Sequence, residues 1–119
     1  MSDKVAKNSE KYSLIAIPSI DGITIFPKML GMANYFFIYS TTDGIQFTLL
    51  EKRVNPYETT LQHLKTLDVF DIISDCKIII TAYIGRKGAE RLRDRGMKLF
   101  FRNGDIQEAL KNVFRDEFC

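Results

Sequence analysis

Cysteine is scarce in this chain. Its 119 residues contain two cysteines, Cys76 and Cys119, and no tryptophan. Two cysteines do not form the framework of a disulfide-rich secreted domain. This cysteine content suits a reducing compartment, and we expect a cytoplasmic location.

A large excess of charge of one sign is also missing. The chain has 17 basic and 15 acidic residues and a net charge of +2. A domain that binds nucleic acid through its overall charge is usually far more basic, so we expect no nucleic-acid partner. The hydrophobic fraction of 45% is that of an ordinary globular protein.

Long apolar runs are absent as well. No run approaches the roughly 20 apolar residues that a membrane-spanning helix needs, so we expect no membrane partner. Met1–Tyr12 is polar and without periodicity, which predicts a disordered lead-in over residues 1–12 and no signal peptide. One domain is expected over residues 13–119.

Two apolar runs have the pattern of strands that are covered on both faces. Ser13–Pro18 and Lys77–Ala82 lack the alternation of a half-exposed strand. The second run is followed by a glycine-marked turn, a predicted helix over Arg86–Arg95 that Gly96 ends, and a strand over Met97–Phe101. Such a succession is a βαβ unit with parallel strands.

The segment Tyr35–Glu51 has the pattern of a β-hairpin. Two strand-like runs, Tyr35–Ser40 and Gln46–Glu51, flank Thr41–Gly44, whose Asp-Gly pair is a turn signal. We expect this hairpin at one edge of a sheet whose other strands are parallel. A brief pairing is also expected for Ile23–Phe26.

Capping signals mark two further helical regions. Asn55 is followed by proline and then glutamate in the pattern of a helix start, and a break near Thr66–Asp68 divides this region into two short predicted helices. Asp105 is the predicted N-cap of a last helix, with Glu108 at its third position. The apolar residues of that helix have the spacing of a buried stripe: Ile106, Ala109, Leu110, Val113 and Phe114.

The turn before the predicted helix Arg86–Arg95 is a candidate anion site. Gly85 begins the helix, and Arg86 and Lys87 lie in its first turn, where free N–H groups and the helix dipole favour an anion. The alternative is that the glycines allow close packing of the helix on the sheet and that the basic residues are solvated. Neither GxGxxG nor a Walker lysine is present, so the support for nucleotide binding is weak.

Three sulfur-containing side chains are candidate metal ligands. Met29 and Met32 flank Gly31 and would present two soft thioethers, and Cys76 precedes a central strand. The alternative is that the methionines fill gaps and that Cys76 packs in the core. The one histidine, His63, is expected to be solvated or to cap a helix.

The sequence predicts no catalytic site. Acidic residues do not cluster at the predicted strand ends, where a Mg²⁺ site would need them. Asp21, Asp43 and Asp68 each occupy a turn or a helix start, so each has a structural role.

Three strings stand out in the order in which they occur along the chain. Ile15–Gly22 is an apolar strand with Asp-Gly after it, Met29–Tyr39 is a glycine-centred loop followed by a strand ending in Ile-Tyr, and Ile78–Lys98 has an Ile-Gly turn, an Ala-x-x-Leu helix and a Gly-Met-Lys string. In this order they resemble the dinitrogenase iron-molybdenum cofactor biosynthesis family, in which Met29–Tyr39 aligns with a His-Phe-Gly-Arg-Ala loop and its strand. The resemblance covers Leu14–Phe114.

This resemblance implies a fold, a function and a site. The fold would be a three-layer, ribonuclease H-like α/β fold with a mixed five-stranded sheet. The protein would be a small accessory protein without catalytic activity that binds or delivers an anionic cluster of the iron–molybdenum–sulfur type, together with metallocluster assembly proteins. The resemblance places the site loop at Met29–Met32, and because the loop Lys28–Ala33 and the turn Ala82–Gly88 lie near the carboxyl ends of central strands, we expect them to border a common pocket. The expected cofactor-binding residues lie on these two segments: Met29, Gly31, Met32, Gly85, Arg86 and Lys87.

The chain departs from the family pattern in the loop, where Met29 and Met32 replace the histidine and the arginine. A thioether stands in place of the imidazole that could bind a metal, and another in place of the cation that could pair with an anionic cluster. Two alternatives therefore stay open. One is an interaction module of the same fold that has lost the metal site, and the other is a binder of a small anion or nucleotide at the Gly85 turn.

Overall fold

The structure is a computed structural model that describes residues 13–55 and 70–118, with side chains up to residue 115. Several predictions lie outside the described residues. These are the lead-in over residues 1–12, the helix after Asn55, the break near residues 66–68 and the placement of His63.

Five strands form one mixed sheet. They are β1 (Ser13–Ser19), β2 (Tyr35–Thr41), β3 (Thr48–Val54), β4 (Ile78–Thr81) and β5 (Lys98–Phe101). Their order is β3-β2-β1-β4-β5, in which β1, β4 and β5 are parallel and β2 and β3 are antiparallel neighbours at one side. The predicted mixed five-stranded sheet is confirmed, as is the parallel pairing of its three other strands.

β2 is an interior strand although it belongs to the hairpin. It lies between β1 and β3, and six of its seven residues are buried. Phe36 and Ile38 pack on one face of the sheet, while Phe37 and Tyr39 pack on the other. Of the two hairpin strands, β3 lies at an edge of the sheet, and each of its seven residues is exposed or half-buried.

The hairpin turn is longer than predicted. β3 begins at Thr48 rather than Gln46 because the chain first makes a hydrogen-bonded turn after β2. The Asp43 carboxylate accepts the N–H groups of Ile45 and Gln46 at 2.8 and 2.9 Å, and the Thr41 hydroxyl donates to the Gln46 carbonyl at 2.8 Å. The predicted turn role of Asp43 is confirmed.

The same turn follows β1. The Asp21 carboxylate accepts the N–H groups of Ile23 and Thr24 at 2.9 and 3.0 Å, and the Ser19 hydroxyl donates to the Thr24 carbonyl at 2.6 Å. The hydrogen bonds from the Thr24 and Ile23 N–H groups lower the pKa of the Asp21 carboxyl. The turn leads to isolated bridges at Ile25 and Thr24 rather than to a strand, which fits the brief pairing expected there.

Two helices lie on opposite faces of the sheet. Helix α1 (Arg86–Asp94) and residues 70–76 cover one face, and helix α2 (Ile106–Phe118) covers the other. Alternate residues of β1 point to opposite faces of the sheet and belong to different cores. Ala16 packs in the core under α1, while Ile15 and Ile17 pack in the core under α2. The expected three-layer α/β fold is confirmed.

The ends of the helices follow the predicted chemistry. Gly96 ends α1 with φ of +87°, and its N–H donates to the Arg93 carbonyl while the Met97 N–H donates to that of Leu92. This pair of bonds is a Schellman motif, which only a residue tolerant of positive φ can form without strain. At the start of α2 the Asp105 carboxylate accepts the Glu108 N–H at 2.9 Å, and the predicted stripe is buried.

Arg53 ties the edge strand β3 to the segment that precedes β4. Its guanidinium donates to both carboxylate oxygens of Asp75 at 2.8 Å, to the Ile72 carbonyl at 2.6 Å and to Glu51 at 3.0 Å. The bidentate geometry suits a strong charge-assisted pair. Within the described residues no helix is long and apolar enough to cross a membrane.

Candidate functional site

The candidate site lies where the parallel strands end. β1, β4 and β5 point the same way, so their carboxyl ends at Ser19, Thr81 and Phe101 share one edge of the sheet. The chain leaving β1 returns to that edge as the loop Lys28–Ala33, and the chain leaving β4 forms the turn Ala82–Gly88. Open α/β sheets place their ligands at such an edge.

Direct contacts join the loop to the turn. The Leu30 N–H donates to the Tyr83 carbonyl at 2.9 Å, and Met29 forms a parallel bridge with Tyr83. A Cβ built on Gly85 would lie 3.5 Å from the Met29 Cε. The structure therefore brings together the two segments that the sequence singled out.

The loop turns its two methionines outward. Leu30–Met32 forms a short 3-10 turn, closed by a bond from the Met32 N–H to the Met29 carbonyl at 3.0 Å. Leu30 is the buried anchor, whereas Met29 and Met32 are 43% and 39% exposed. Both thioethers are thus accessible at the sheet edge.

Asn55 holds the loop from behind. Its amide nitrogen donates to the Gly31 carbonyl at 3.0 Å and to the Ala33 carbonyl at 2.8 Å, and its backbone N–H donates to the Asn34 carbonyl. The side chain is buried, so these bonds form where water does not compete. Sequence reasoning gave Asn55 only a capping role. The hairpin register, in which Tyr35 lies opposite Val54, is the signal that would have placed it beside the loop.

The start of α1 supplies the positive end of a helix dipole. Gly85 is the N-cap and makes no side-chain capping bond, and no acidic residue lies in the first turn. The first intrahelical bond runs from the Ala89 N–H to the Gly85 carbonyl, so the earlier N–H groups have no intrahelical acceptor. Arg86 and Lys87 are exposed beside them, and the arrangement is favourable for an anion.

Gly88 has a packing role in the same turn. A Cβ at this position would lie 3.0 Å from the Phe70 ring and 3.3 Å from Ile84. The absence of a side chain therefore lets α1 approach the core closely. This contact accounts for Gly88 without any ligand.

Cys76 lies elsewhere. It precedes the amino end of β4, whereas the loop and the turn lie beyond its carboxyl end, so the structure does not bring Cys76 to Met29 and Met32. Its thiol is buried beside the Asp75 carboxylate, and burial together with that charge raises the pKa to about 12. Burial and the length of β4 thus separate the Cys76 thiol from the two exposed methionines.

A depression of about 290 Å³ lies at the turn after β1, and none of the predicted site residues lines it. It is lined by the turn after β1 and the residues that follow: Ile20, Asp21, Thr24, Ile25, Phe26 and Pro27. One oxygen of the Asp21 carboxylate is already bonded to backbone N–H groups, so the carboxylate is fixed in place. Among the described residues, no group of three histidines, cysteines or carboxylates is placed to hold a metal ion.

These features define a three-layer α/β protein whose candidate site is a methionine loop joined to a helix start. The chain belongs to the dinitrogenase iron-molybdenum cofactor family, whose sequence model matches residues 11–116. The family expected from the three sequence strings is confirmed. No curated protein sequence matches the chain.

Three solved structures share the fold. The crystal structure of PH0822 has 21% sequence identity and a TM-score of 0.70, and covers 87% of this chain and 90% of its own. The apo form of the orange protein from Desulfovibrio gigas has 19% identity and a TM-score of 0.66, with 88% and 89% covered. A putative NifB protein from Thermotoga, TM1290, assigned to the DUF35 family, has 22% identity and a TM-score of 0.54, with 87% and 88% covered.

Proposed function

We propose that this protein is an accessory protein without catalytic activity that binds and delivers an anionic metallocluster of the iron–molybdenum–sulfur type. The cluster is cargo, and the joined loop and turn are its site. The observation that supports this most is the contact of Leu30 with Tyr83, which sets the exposed Met29 thioether beside the start of α1. The family of the chain agrees with such a cargo.

The two halves of the site have different tasks. The start of α1 attracts the negative charge of the cluster through first-turn N–H groups that have no intrahelical acceptor, with Arg86 and Lys87 beside them. The thioethers of Met29 and Met32 offer soft, neutral ligands to exposed metal atoms of the cluster. Asn55 keeps the loop in the geometry in which both methionines point outward.

The ligand set fits a cargo better than a permanent cofactor. Thioethers are weak ligands that need no deprotonation, and both side chains are about 40% exposed. A cluster bound by them stays open on one side to a second protein. Proteins of metallocluster assembly are therefore the partners that this function requires.

The test is metal uptake after anaerobic incubation with iron, sulfide and molybdate. The double variant Met29→Leu/Met32→Leu keeps the apolar volume but removes both thioethers. We expect the unmodified protein to take up iron and molybdenum and the double variant to lose that uptake with its fold unchanged. Met97→Leu, a buried methionine away from the loop, is the matched control and should keep uptake.

Two results would contradict this function. Equal metal content in the double variant would show that the methionines only pack. No uptake by the unmodified protein would favour an interaction module that has lost the metal site, which agrees with the lack of a three-residue metal group among the described residues.

Binding of a small anion or nucleotide at the Gly85 turn is the remaining candidate. It is favoured by a helix start without a side-chain cap. Molybdate and a nucleoside triphosphate are suitable probes, and Arg86→Gln/Lys87→Gln should weaken binding of either. Tight anion binding that does not depend on Met29 or Met32 would support this candidate over the cluster.

A further inference from the structure

Positive charge is concentrated on α1 and on its C-cap residue, Arg95. Residues 86–95 carry five basic side chains and two acidic ones, a net charge of +3 against +2 for the whole chain. The rest of the molecule is therefore nearly neutral. A basic surface of this kind favours a negatively charged binding partner.

Among the described residues, a single ion pair offsets this charge. Arg95 pairs with Asp71 at 3.6 Å, and both side chains are largely exposed. Arg86, Lys87, Arg91 and Arg93 are exposed and form no ion pair with any described residue. Four basic side chains thus remain available to a partner.

The charged surface reaches beyond the cargo site. Helix dipole and free N–H groups act within the first turn, near Arg86 and Lys87. Arg91, Arg93 and Arg95 lie further along, and α1 extends for about 14 Å at 1.5 Å per residue. Arg91 and Arg93 lie at least one turn beyond the helix start, so the proposed cargo leaves these two side chains without a role.

Exposed apolar side chains border the start of the helix. Tyr83 is 58% exposed, and Phe101, which lies opposite Thr81 in the sheet, is 42% exposed. Together with Met29 they place aromatic and thioether groups beside arginines. Tyrosine, phenylalanine, methionine and arginine are the residues enriched at the centres of protein interfaces.

We propose that the outer surface of α1, together with Tyr83, is the docking surface for the acidic face of a second protein that gives or receives the cargo. This inference rests on the proposed function for the identity of the exchange. Charge complementarity selects an acidic partner, and the neighbouring aromatic groups supply the apolar contacts of a protein interface.

The order of charges on the helix favours a protein over a nucleic acid. At about 100° per residue, Glu90 and Asp94 project between Arg86 and Lys87 on the outer face. A continuous phosphate backbone along the helix would meet both carboxylates. A folded protein can place a basic or neutral residue opposite them.

The test compares charge reversals on the two helices. Arg91→Glu/Arg93→Glu alters the docking surface, while Lys111→Glu/Arg115→Glu makes the same change of net charge on exposed positions of α2, across the sheet. The probes are a short fluorescein-labelled peptide in which glutamates alternate with uncharged residues and a single-stranded oligonucleotide of equal net charge, measured by anisotropy at low salt. We expect the first variant to weaken peptide binding about tenfold or more and the second less than about threefold.

Three outcomes overturn the docking surface. They are equal loss of peptide binding in both variants, no peptide binding by the unmodified protein, and tighter binding of the oligonucleotide than of the peptide. Because both helices could be perturbed by glutamate near their ends, Arg91→Gln/Arg93→Gln is measured as well and should show a smaller loss in the same direction.

The failure of the proposed function is distinguishable from the failure of this inference. Metal uptake by Arg91→Glu/Arg93→Glu alone should equal that of the unmodified protein, because both positions lie at least one helical turn beyond the helix start. If the unmodified protein takes up no metal but the peptide still discriminates between the variants, the cargo is wrong and the docking surface stands. If uptake is normal and the peptide does not discriminate, the docking surface is wrong and the cargo stands.

Discussion

Leu30 donates its backbone N–H to the carbonyl oxygen of Tyr83 at 2.9 Å. The two residues lie in different connecting segments, Leu30 in the one that follows β1 and Tyr83 in the one that follows β4. This bond makes the methionine loop and the start of α1 one surface, with the Met29 methyl group against Gly85. A site that combines thioethers with a helix dipole depends on it.

Asn55→Asp should loosen that surface. Aspartate keeps the size of asparagine and is an equally good N-cap, but its carboxylate cannot donate to the Gly31 and Ala33 carbonyls. We expect a loss of about 1–3 kcal/mol of unfolding free energy, measured in urea, and reduced metal uptake. Asn103→Asp, an exposed position, is the control and should change stability by less than about 0.5 kcal/mol. An equal effect at both positions would show that added charge, and not the loop, is responsible.

Leu92→Ala should cost about 2–5 kcal/mol, because Leu92 is fully buried and is the one large apolar residue that α1 places in the core. Urea unfolding measures the loss. The neighbouring exposed change Arg93→Ala should stay within about 0.5 kcal/mol. A loss below about 1 kcal/mol for Leu92→Ala would mean that α1 is not docked as described.

Asp75→Asn should weaken the tie between β3 and residues 72–75 at neutral pH. The asparagine amide is neutral and has one acceptor oxygen, so it cannot replace the two charge-assisted hydrogen bonds that the carboxylate accepts from Arg53. The expected loss of unfolding free energy is about 1 kcal/mol, since the Asp75 side chain is 52% exposed. Asp71→Asn removes the longer, more exposed pair with Arg95 and should have almost no effect. Similar losses for the two variants would contradict the difference in geometry.

The same pair gives an acid dependence. The hydrogen bonds from Arg53 hold the pKa of Asp75 below its ordinary value of 3.8. A lowered folded-state pKa means that the stabilisation is present above pH 3.8 and is lost as the pH falls through the folded value. Urea midpoints measured below pH 4 should therefore drop less steeply for Asp75→Asn than for the unmodified protein, and parallel curves would exclude the contribution.

Cys76 should be inert in the folded protein. Burial raises the pKa of its thiol from 9.0 to about 12, so at pH 8 it is protonated as well as inaccessible. In a Cys119→Ser background, a thiol reagent should react only after urea is added. The raised pKa also means that the contribution of the protonated thiol to the unfolding free energy is fully present below pH 9. This contribution is lost as the pH rises from 9 to about 12. Rapid labelling of the native protein at pH 8 would contradict this placement.

The sequence by itself determined the elements whose causes are local. Continuous apolar runs marked β1 and β4, the positive φ of Gly96 ended α1, and Asp105 capped α2, because each of these signals acts within a few residues. The turn role of Asp43 was predictable for the same reason, although the length of its turn was not. The three family strings also predicted the three-layer fold.

Only the tertiary structure decided which of these pieces meet. Asn55 bonds to Gly31 and Ala33, and Arg53 to Asp75, across more than 20 residues. No local pattern encodes such contacts, because they depend on strand register and on how the helices pack. The same packing set Cys76 beyond the amino end of β4 and buried it, while it placed Met29 and Met32 at the opposite edge beside α1. Cys76 and the two methionines were candidate ligands of one site on their chemistry alone, but they lie at opposite ends of β4.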